Sequence, residues 1–473
     1  MREYTTRLGD VVVTLLDRAG VITPDRLTAT VGLAWPRVVT GFAIMSKQTV
    51  DLAFVGWAVG SEAVAGLAFA YAFWLIAKFV GVGVVGGTVG LVSQNFGGDA
   101  RGRASMVVKQ SVWLALLLSV PVVVAYALFA DPLVGLLGSD PASTRAGATY
   151  LAIVAPALTF EFLNLVCSRT YAGVGDTVTP MVVRAGAAAA NIVASGVLVF
   201  GFGLGVAGVA LGTLFSTGLS VVAFSWGMFG RSYGLPGLAP SPVALSIRGP
   251  QFDRELMGQL VEVSAPIVAR RVLEGLVAFP LLWIAGTFGP VVVAAFEIGR
   301  RVRAVMTSFS WGFSIASSSL VGQALGDDDE GEATAYGAAI IRLSMVVYVA
   351  AALVVLLVPG PIAGLFVADP AEVAQAAVFI QVSAVSAVAF GLDGSATGAL
   401  RGAGDTRWPF LASVVGRYGF ALPAAALGLV TPLGVAGLYL ALVLEMAVPA
   451  VANYWRFRTG RWKAVSRAYR PAA

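Results

Sequence analysis

Charged side chains inside otherwise apolar stretches are the residues of this 473-residue sequence that could do chemistry. Asp51 is one of them, and Lys47 precedes it by four residues, which places both on one face of a helix. A buried carboxylate beside a cation has a tunable affinity for a proton or for Na⁺. In the simpler alternative, Lys47 and Asp51 only neutralise each other. The spacing therefore predicts either a cation-coupling site or a local ion pair.

The apolar stretches have the length and composition of membrane-spanning helices. Hydrophobic residues make up 58% of the chain and charged residues only 12%. The apolar runs are long enough to cross a hydrocarbon core of about 30 Å, and they do not alternate like the strands of a β-barrel. The sequence therefore predicts an all-α membrane protein with twelve transmembrane helices. We place them at 34–58, 63–92, 107–130, 142–171, 178–201, 205–230, 256–287, 290–321, 334–360, 371–400, 407–430 and 433–456.

Four short motifs recur at a fixed interval of 229 residues. They begin at Leu91, Asp140, Gly173 and Gly205 and return at Leu320, Asp369, Gly402 and Gly434. Four collinear matches at one offset predict a tandem duplication, and hence two pseudo-symmetric lobes of six helices each. Because six is an even number, both lobes enter the membrane from the same side.

The predicted domains follow from this duplication and from the charges. We expect a cytoplasmic N-terminal segment (1–33), a first lobe (34–230), a cytoplasmic linker (231–255), a second lobe (256–456) and a basic cytoplasmic tail (457–473). Arginines are concentrated in the connections that we place inside, whereas the opposite connections carry essentially Arg145 alone. The positive-inside rule therefore predicts that both termini are cytoplasmic, in a multi-pass protein of the cell membrane.

The motifs resemble those of the MATE (multidrug and toxic compound extrusion) transporters of the prokaryotic type. The similar segments are residues 51–56, residues 91–97, the Gly-x-Gly-Asp-Thr turns at 173–177 and 402–406, and residues 400–402. The resemblance extends from about Trp35 to the last span. It implies export of amphipathic, often cationic, organic compounds against Na⁺ or H⁺, by alternating access between the two lobes.

The resemblance also implies cation-coupling residues. Asp51 matches the acid that the family has in its first span. Asn191 matches an asparagine in the fifth span, but the family's aspartate four residues later is Ser195 here. A serine hydroxyl can ligate Na⁺ through its lone pairs, but it cannot take up a proton near neutral pH. The alternative for Asn191 is an interhelical hydrogen bond.

Glu274 and Asp393 offer a second-lobe alternative. Glu274 lies eight residues after Pro266, a spacing found in another branch of the family. That branch also has an acid in span ten, from which Asp393 is displaced by about one turn. The two acids could form a cation site that replaces the acid missing at Ser195. Glu274 could instead pair with Arg270, one turn earlier on the same helix.

Further charged residues are expected at the substrate cavity, namely Glu161, Glu297, Arg300 and Glu445. Glu161 and Glu445 would attract organic cations. The span-eight group of Arg300, Arg301 and Arg303 would favour anionic or zwitterionic compounds if it lines the cavity. Alternatively, this part of the helix projects beyond the membrane.

The sequence thus predicts a secondary active multidrug exporter rather than an enzyme. Histidine is absent and Cys167 is the only cysteine, so we expect no catalytic residues and no metal site. We expect no cofactor apart from Na⁺ or H⁺ as the coupling ion, drug-like molecules and the lipid bilayer as partners, no nucleic acid, and a monomer. The alternative is a lipid-linked precursor flippase of the same wider superfamily, which the span-eight arginines would suit.

Overall fold

Helices account for all regular secondary structure in residues 11–136, 140–234, 238–246, 248–367 and 369–469, which the computed structural model describes. They are α1 (11–18), α2 (Pro24–Ala58), α3 (Ser61–Gly97), α4 (Arg101–Leu128), α5 (Ala130–Gly135), α6 (Pro141–Gly173), α7 (Val178–Gly196), α8 (Gly205–Met228), α9 (Arg254–Leu276), α10 (Ala278–Thr287), α11 (Pro290–Val305), α12 (Thr307–Gly326), α13 (Glu330–Leu357), α14 (Pro359–Ala363), α15 (Pro370–Gly402), α16 (Arg407–Val414), α17 (Leu422–Val430), α18 (Ala436–Arg458) and α19 (Arg461–Arg467). Two π-helical segments extend this set: Val197–Gly201 continues α7, and Val415–Ala421 joins α16 to α17.

Ten of the predicted spans are continuous helices, each long and apolar enough to cross a membrane within the described chain. Predicted spans seven and eight are interrupted instead, because α9 ends at Leu276 and α11 ends at Val305. The charged residues of these two spans lie before the interruptions, on α9 and α11. The predicted twelve-helix fold is confirmed, with two of its helices broken close to their charges.

The repeated motifs have the same local structure in both halves. Asp140 caps α6 and Asp369 caps α15, each by accepting a backbone N–H group of the first turn, at 2.8 and 2.9 Å. The Gly-x-Gly-Asp-Thr turns hold Gly175 and Gly404 at φ values of 89° and 81°, which glycine adopts far more readily than other residues. The duplication therefore preserves the caps and turns that orient the helices.

The chain forms two compact units. The first unit is Pro36–Val268, and the second consists, within the described chain, of residues 11–35 and 269–469. The boundaries fall inside α2 and α9, close to a proline in each helix. Residues 256–268, which the sequence division assigns to the second lobe, belong to the first unit. There the Ser264 hydroxyl donates to a carbonyl oxygen of α3 at 2.8 Å.

Close backbone packing positions the helices of the first unit. A Cβ atom on Gly66 of α3 would lie 2.2 Å from the carbonyl oxygen of Ser143, and one on Gly147 of α6 would lie 2.5 Å from that of Gly66. Large apolar side chains such as Leu128 and Val222 are exposed instead, as expected for surfaces that face lipid. The buried polar groups of the first unit, described below, therefore lie inside a bundle with an apolar outer surface.

Candidate functional site

Asp51 lies on α2 in the first unit and is buried. The hydroxyl of Thr213 on α8 donates to Asp51 Oδ2 at 3.4 Å, and the side-chain amide of Asn191 on α7 donates to that hydroxyl at 3.3 Å. Three helices thus bring together Asp51 and Asn191, the two first-lobe coupling residues suggested by the sequence. Thr213, which joins them, is not distinguishable in the sequence from the many other hydroxyl residues of the apolar helices.

Ser195, one turn after Asn191, completes a group that we call the Asp51 cluster: Asp51, Asn191, Ser195 and Thr213. All four side chains are buried. Ser195 is close enough to influence the charge of Asp51, although its hydroxyl is not in hydrogen-bonding geometry. Asp51 Oδ1, Asn191 Oδ1 and Ser195 Oγ are all buried without a hydrogen-bond partner in the described chain. An unsatisfied buried polar group costs about 1–3 kcal/mol, so three in one cluster make it a candidate site for a ligand that accepts lone pairs.

Two tyrosines border the cluster. Tyr71 on α3 and Tyr150 on α6 pack edge to face with ring centroids 5.5 Å apart, and both interact electrostatically with Asp51. Sequence reasoning did not single them out, because their approach depends on the close crossing of α3 and α6 at Gly66 and Gly147. The rings place apolar surface next to the only carboxylate of the cluster.

Lys47 does not form the ion pair with Asp51 that its spacing allows. The two charges interact at a distance, but Lys47 has no ion pair or hydrogen bond to any described residue. Among the described residues, the Asp51 carboxylate therefore has only the neutral Thr213 hydroxyl as a direct hydrogen-bond donor. Its negative charge remains available for a cation.

Glu161 on α6 is paired with Arg184 on α7. Two parallel hydrogen bonds of 2.7 Å join the guanidinium to the carboxylate, and both side chains are nearly buried. This bidentate arrangement is strong and geometrically specific. The pair borders a cavity of about 50 Å³ that is also lined by Lys47 of α2 and Lys78 of α3. Glu161 thus lies beside a cavity, but Arg184, which sequence reasoning did not identify, balances its charge.

The second-unit candidates Glu274 and Asp393 meet on one guanidinium group. Arg270 Nε donates to Glu274 at 2.8 Å, and another nitrogen of the same side chain donates to Asp393. Arg271 also donates to Glu274 at 2.8 Å, and the Asn453 amide donates to Asp393 at 2.7 Å. The structure brings the two acids together, but arginines and an amide occupy the oxygens that a cation would need.

Glu445 on α18 extends these contacts. Its carboxylate lies 3.2 Å from Arg303 of α11 and 3.5 Å from Arg417. Arg417, in the π-helical segment between α16 and α17, also lies 3.5 Å from Glu274. We call the whole group the arginine network: Arg270, Arg271, Arg303, Arg417, Glu274, Asp393 and Glu445. Four guanidinium groups here surround three carboxylates.

Glu297 and Arg300 occupy a different setting. Arg300 donates to Glu297 at 3.1 Å within α11, and the two side chains are 31% and 40% exposed respectively. The Arg300 guanidinium also lies 5.7 Å from the ring centroid of Phe296. Of the residues assigned to a substrate cavity, Glu161 therefore borders a cavity, Glu445 lies in the arginine network, and Glu297 and Arg300 form a partly exposed pair.

A duplicated bundle of spanning helices with polar and charged groups in its interior is the construction of a secondary transporter. The family model MatE matches residues 36–197 and 266–427. A probable multidrug resistance protein NorM from Rhodopseudomonas palustris is 30% identical over an alignment of 463 residues, with 93% of this chain and 94% of that protein covered. A probable NorM protein from Bradyrhizobium diazoefficiens is 30% identical over 451 residues, with 92% and 93% covered. A crystal structure of MATE in the bent conformation has a TM-score of 0.85 at 19% identity, covering 94% of this chain and 97% of that one.

The chain belongs to the MatE family, the transporters that its motifs resemble. The family model matches once in each half, as the internal repeat predicts. The predictions of a multi-pass membrane transporter, rather than an enzyme, and of a helical MATE fold are therefore confirmed.

Proposed function

We propose that this protein is a secondary active multidrug exporter that couples the outward movement of amphipathic organic compounds to cation uptake at the Asp51 cluster. Relatives named as multidrug resistance proteins support this class of cargo. The three buried oxygens without partners in the described chain carry the coupling proposal. One of the three belongs to the ionisable carboxylate of Asp51, which forms no ion pair with a described residue.

The cluster suits Na⁺ better than a proton alone. A proton would bind only to Asp51, because Asn191 and Ser195 do not titrate near neutral pH. Na⁺ would accept lone pairs from Asp51 Oδ1, Asn191 Oδ1 and Ser195 Oγ together, which would satisfy all three oxygens. We therefore expect Na⁺ to be the coupling ion, with H⁺ as a competitor at Asp51.

The arginine network has less support as a cation site. A cation binding to Glu274 or Asp393 would have to displace Arg270 from that carboxylate. Breaking a buried ion pair costs about 3–5 kcal/mol. We propose instead that the network holds α9, α11, α15 and α18 together.

Coupling requires that Na⁺ and the exported compound prefer different conformations of the transporter. Shifting a two-state equilibrium from 1:99 to 99:1 takes a roughly 10⁴-fold difference in affinity between the states. We propose that Na⁺ at the Asp51 cluster favours the state that releases the compound outward, in an alternating-access cycle. The protein would act in the cell membrane with both termini in the cytoplasm.

The test is dye export from proteoliposomes under separately imposed Na⁺ and H⁺ gradients. We expect Asp51→Asn to lower Na⁺-driven export at least about tenfold, since removing a ligating charge costs more than 1.4 kcal/mol. Asp131→Asn, at an exposed acid of α5, is the matched control and should leave export unchanged. Loss of coupling in Glu274→Gln but not in Asp51→Asn would move the ion to the second unit. If neither gradient drives export by the wild type, the exporter proposal is wrong.

A further inference from the structure

The cavity of the first unit has more positive charge than its own residues balance. Lys47, Lys78, Arg184 and Glu161 contribute its charged lining. Glu161 is bonded through both oxygens to Arg184. Neither lysine has an ion pair or a hydrogen bond to any described residue. These two are half of the four lysines in the whole chain.

Unbalanced ammonium groups inside spanning helices are costly. A lysine at the centre of a membrane helix is strongly disfavoured on insertion scales. Asp51 is the nearest other carboxylate to Lys47 on α2. In the proposed cycle, however, the charge of Asp51 is balanced by Na⁺ and not by Lys47. Lys78 interacts electrostatically with Glu161 and with two further cations, Arg184 and Arg37. The counter-charge for the lysines must therefore come from a ligand.

The equivalent positions of the second unit show which charged groups can balance one another at this point of the fold. Three cavity-lining residues, Trp74, Ala188 and Ser216, correspond through the duplication to Arg303, Arg417 and Glu445. In the second unit these positions form the core of the arginine network, where the Glu445 carboxylate contacts two guanidinium groups. In the first unit the same three positions are neutral, and they line the cavity. The first unit thus has cations beside this place but no carboxylate at the position equivalent to Glu445.

We infer that this cavity binds the anionic group, a carboxylate or a similar oxyanion, of the transported compound. The inference rests on the proposed function and names the substrate class. The cavity volume of about 50 Å³ is roughly three to five times the 10–15 Å³ that one water molecule needs by the same measure. It therefore accommodates a carboxylate-sized group and not a whole drug-like molecule. Gln48 and Ser220 add neutral polar groups to the lining, and Trp74 adds an aromatic surface.

The anion and the coupling ion would bind to different atoms. Na⁺ at Asp51 makes the surroundings of Lys47 more positive, so local electrostatics alone would strengthen anion binding. Release must therefore come from the change of conformation, and not from competition between Na⁺ and the compound for one carboxylate. Raising the Na⁺ concentration should not weaken anion binding competitively.

The first test compares two forms of one dye, a rhodamine with a free carboxylate and its ethyl ester, by fluorescence titration of the full-length protein. We expect the wild type to bind the carboxylate form at least about tenfold more tightly, as a charge-assisted hydrogen bond worth 1.5–3 kcal/mol implies. Lys78→Gln and Lys47→Gln should each remove most of this preference, whereas Lys78→Arg should keep it. Lys463→Gln, on α19, is the matched control and should behave as the wild type.

Two results would overturn the inference. One is equal affinity of the wild type for both dyes. The other is an equal loss of affinity for both dyes in Lys78→Gln, which would show that this lysine only supports the fold. A preference for the carboxylate form without gradient-driven export would leave the anion site standing and refute the exporter proposal instead.

A lipid headgroup could supply the same oxyanion chemistry as a free compound. Vesicles that contain fluorescent phosphatidylglycerol or phosphatidylcholine distinguish these sources through the rate at which each lipid crosses the bilayer. We expect no lysine-dependent difference between the two lipids. Faster movement of phosphatidylglycerol that is lost in Lys78→Gln, without binding of either dye, would overturn the assignment to a drug-like compound and favour a flippase.

Discussion

The two halves of this protein share their turns and helix caps but place their interior charges at different positions. Glu161 and Arg184, a buried pair in the first half, correspond at an offset of 229 residues to the uncharged Phe390 and Ser413. Conversely, Arg303, Arg417 and Glu445 of the arginine network correspond to neutral residues that line the first-half cavity. One fold therefore carries two unrelated sets of charges.

This difference shows which features a duplicated helical bundle can change. A cap or a glycine with positive φ is required by the backbone, so each copy retains it. A buried ion pair can be lost or gained as a unit at little cost, whereas loss of one partner is strongly destabilising. The second half follows this rule with a set of paired charges. The first half departs from it, because Lys47 and Lys78 have no partner among the described residues.

The largest effect should come from breaking the arginine network. Glu445→Gln removes the carboxylate that contacts Arg303 and Arg417, leaving two buried guanidinium groups without it. Breaking such a pair typically costs about 3–5 kcal/mol, so we expect a clear fall in the midpoint of thermal unfolding in detergent. Lys78→Gln removes an unpaired charge and should not lower the midpoint. Equal unfolding midpoints for Glu445→Gln and the wild type would contradict the claim that paired charges stabilise the second half.

A smaller effect is expected from making the first half resemble the second. Ser216→Glu introduces a carboxylate at the position equivalent to Glu445, beside Lys47 and Lys78. The new side chain should compete with the ligand, weakening the binding of the carboxylate dye at least about tenfold without lowering the unfolding midpoint. Ser216→Gln has nearly the same size without the charge and should weaken binding less. Unchanged binding in Ser216→Glu would place the anion elsewhere.

The smallest effect should come from the features that the halves share. Asp140→Ala and Asp369→Ala remove equivalent caps and should lower the unfolding midpoint slightly and by similar amounts. Hydrogen bonds from Ser143 lower the pKa of Asp140 below its ordinary value. The contribution of this cap is therefore present above the ordinary aspartate pKa and is lost as the pH falls through the lowered value. Unfolding scans of the wild type and Asp140→Ala should converge at low pH; a difference that persists there would contradict this account.

The architecture could be predicted from the sequence because its signals are local or periodic. Apolar runs mark the spans, and a constant offset marks the duplication. The interruptions after Leu276 and Val305 did not stand out in the sequence, since a long uncharged stretch follows each of them. They accompany contacts of α9 and α11 with other helices, such as that between Arg303 and Glu445.

The candidate site could be predicted only in part. Asp51 stands out because an acid in an apolar run needs an explanation. Thr213 and Tyr150 do not stand out, because their role depends on how α8 and α6 pack beside α2. The sequence also allowed a Lys47–Asp51 pair, which the structure does not form, and it could not show that Arg184 belongs to Glu161. Pairing across helices depends on the tertiary structure, and spacing along one helix does not reveal it.

Ser195 leaves the Asp51 cluster with a single carboxylate, and this has a consequence for how the transporter is energised. One acid balances the charge of one Na⁺, and each Na⁺ that is taken up moves one full charge inward in each cycle. In the exchange proposed above, Na⁺ moves inward while an organic anion moves outward, and both steps carry current in the same direction. Each charge gains about 2.3 kcal/mol per 100 mV, or about 4.6 kcal/mol for the two together. An inside-negative membrane voltage would therefore drive export even when the Na⁺ concentrations on the two sides are equal.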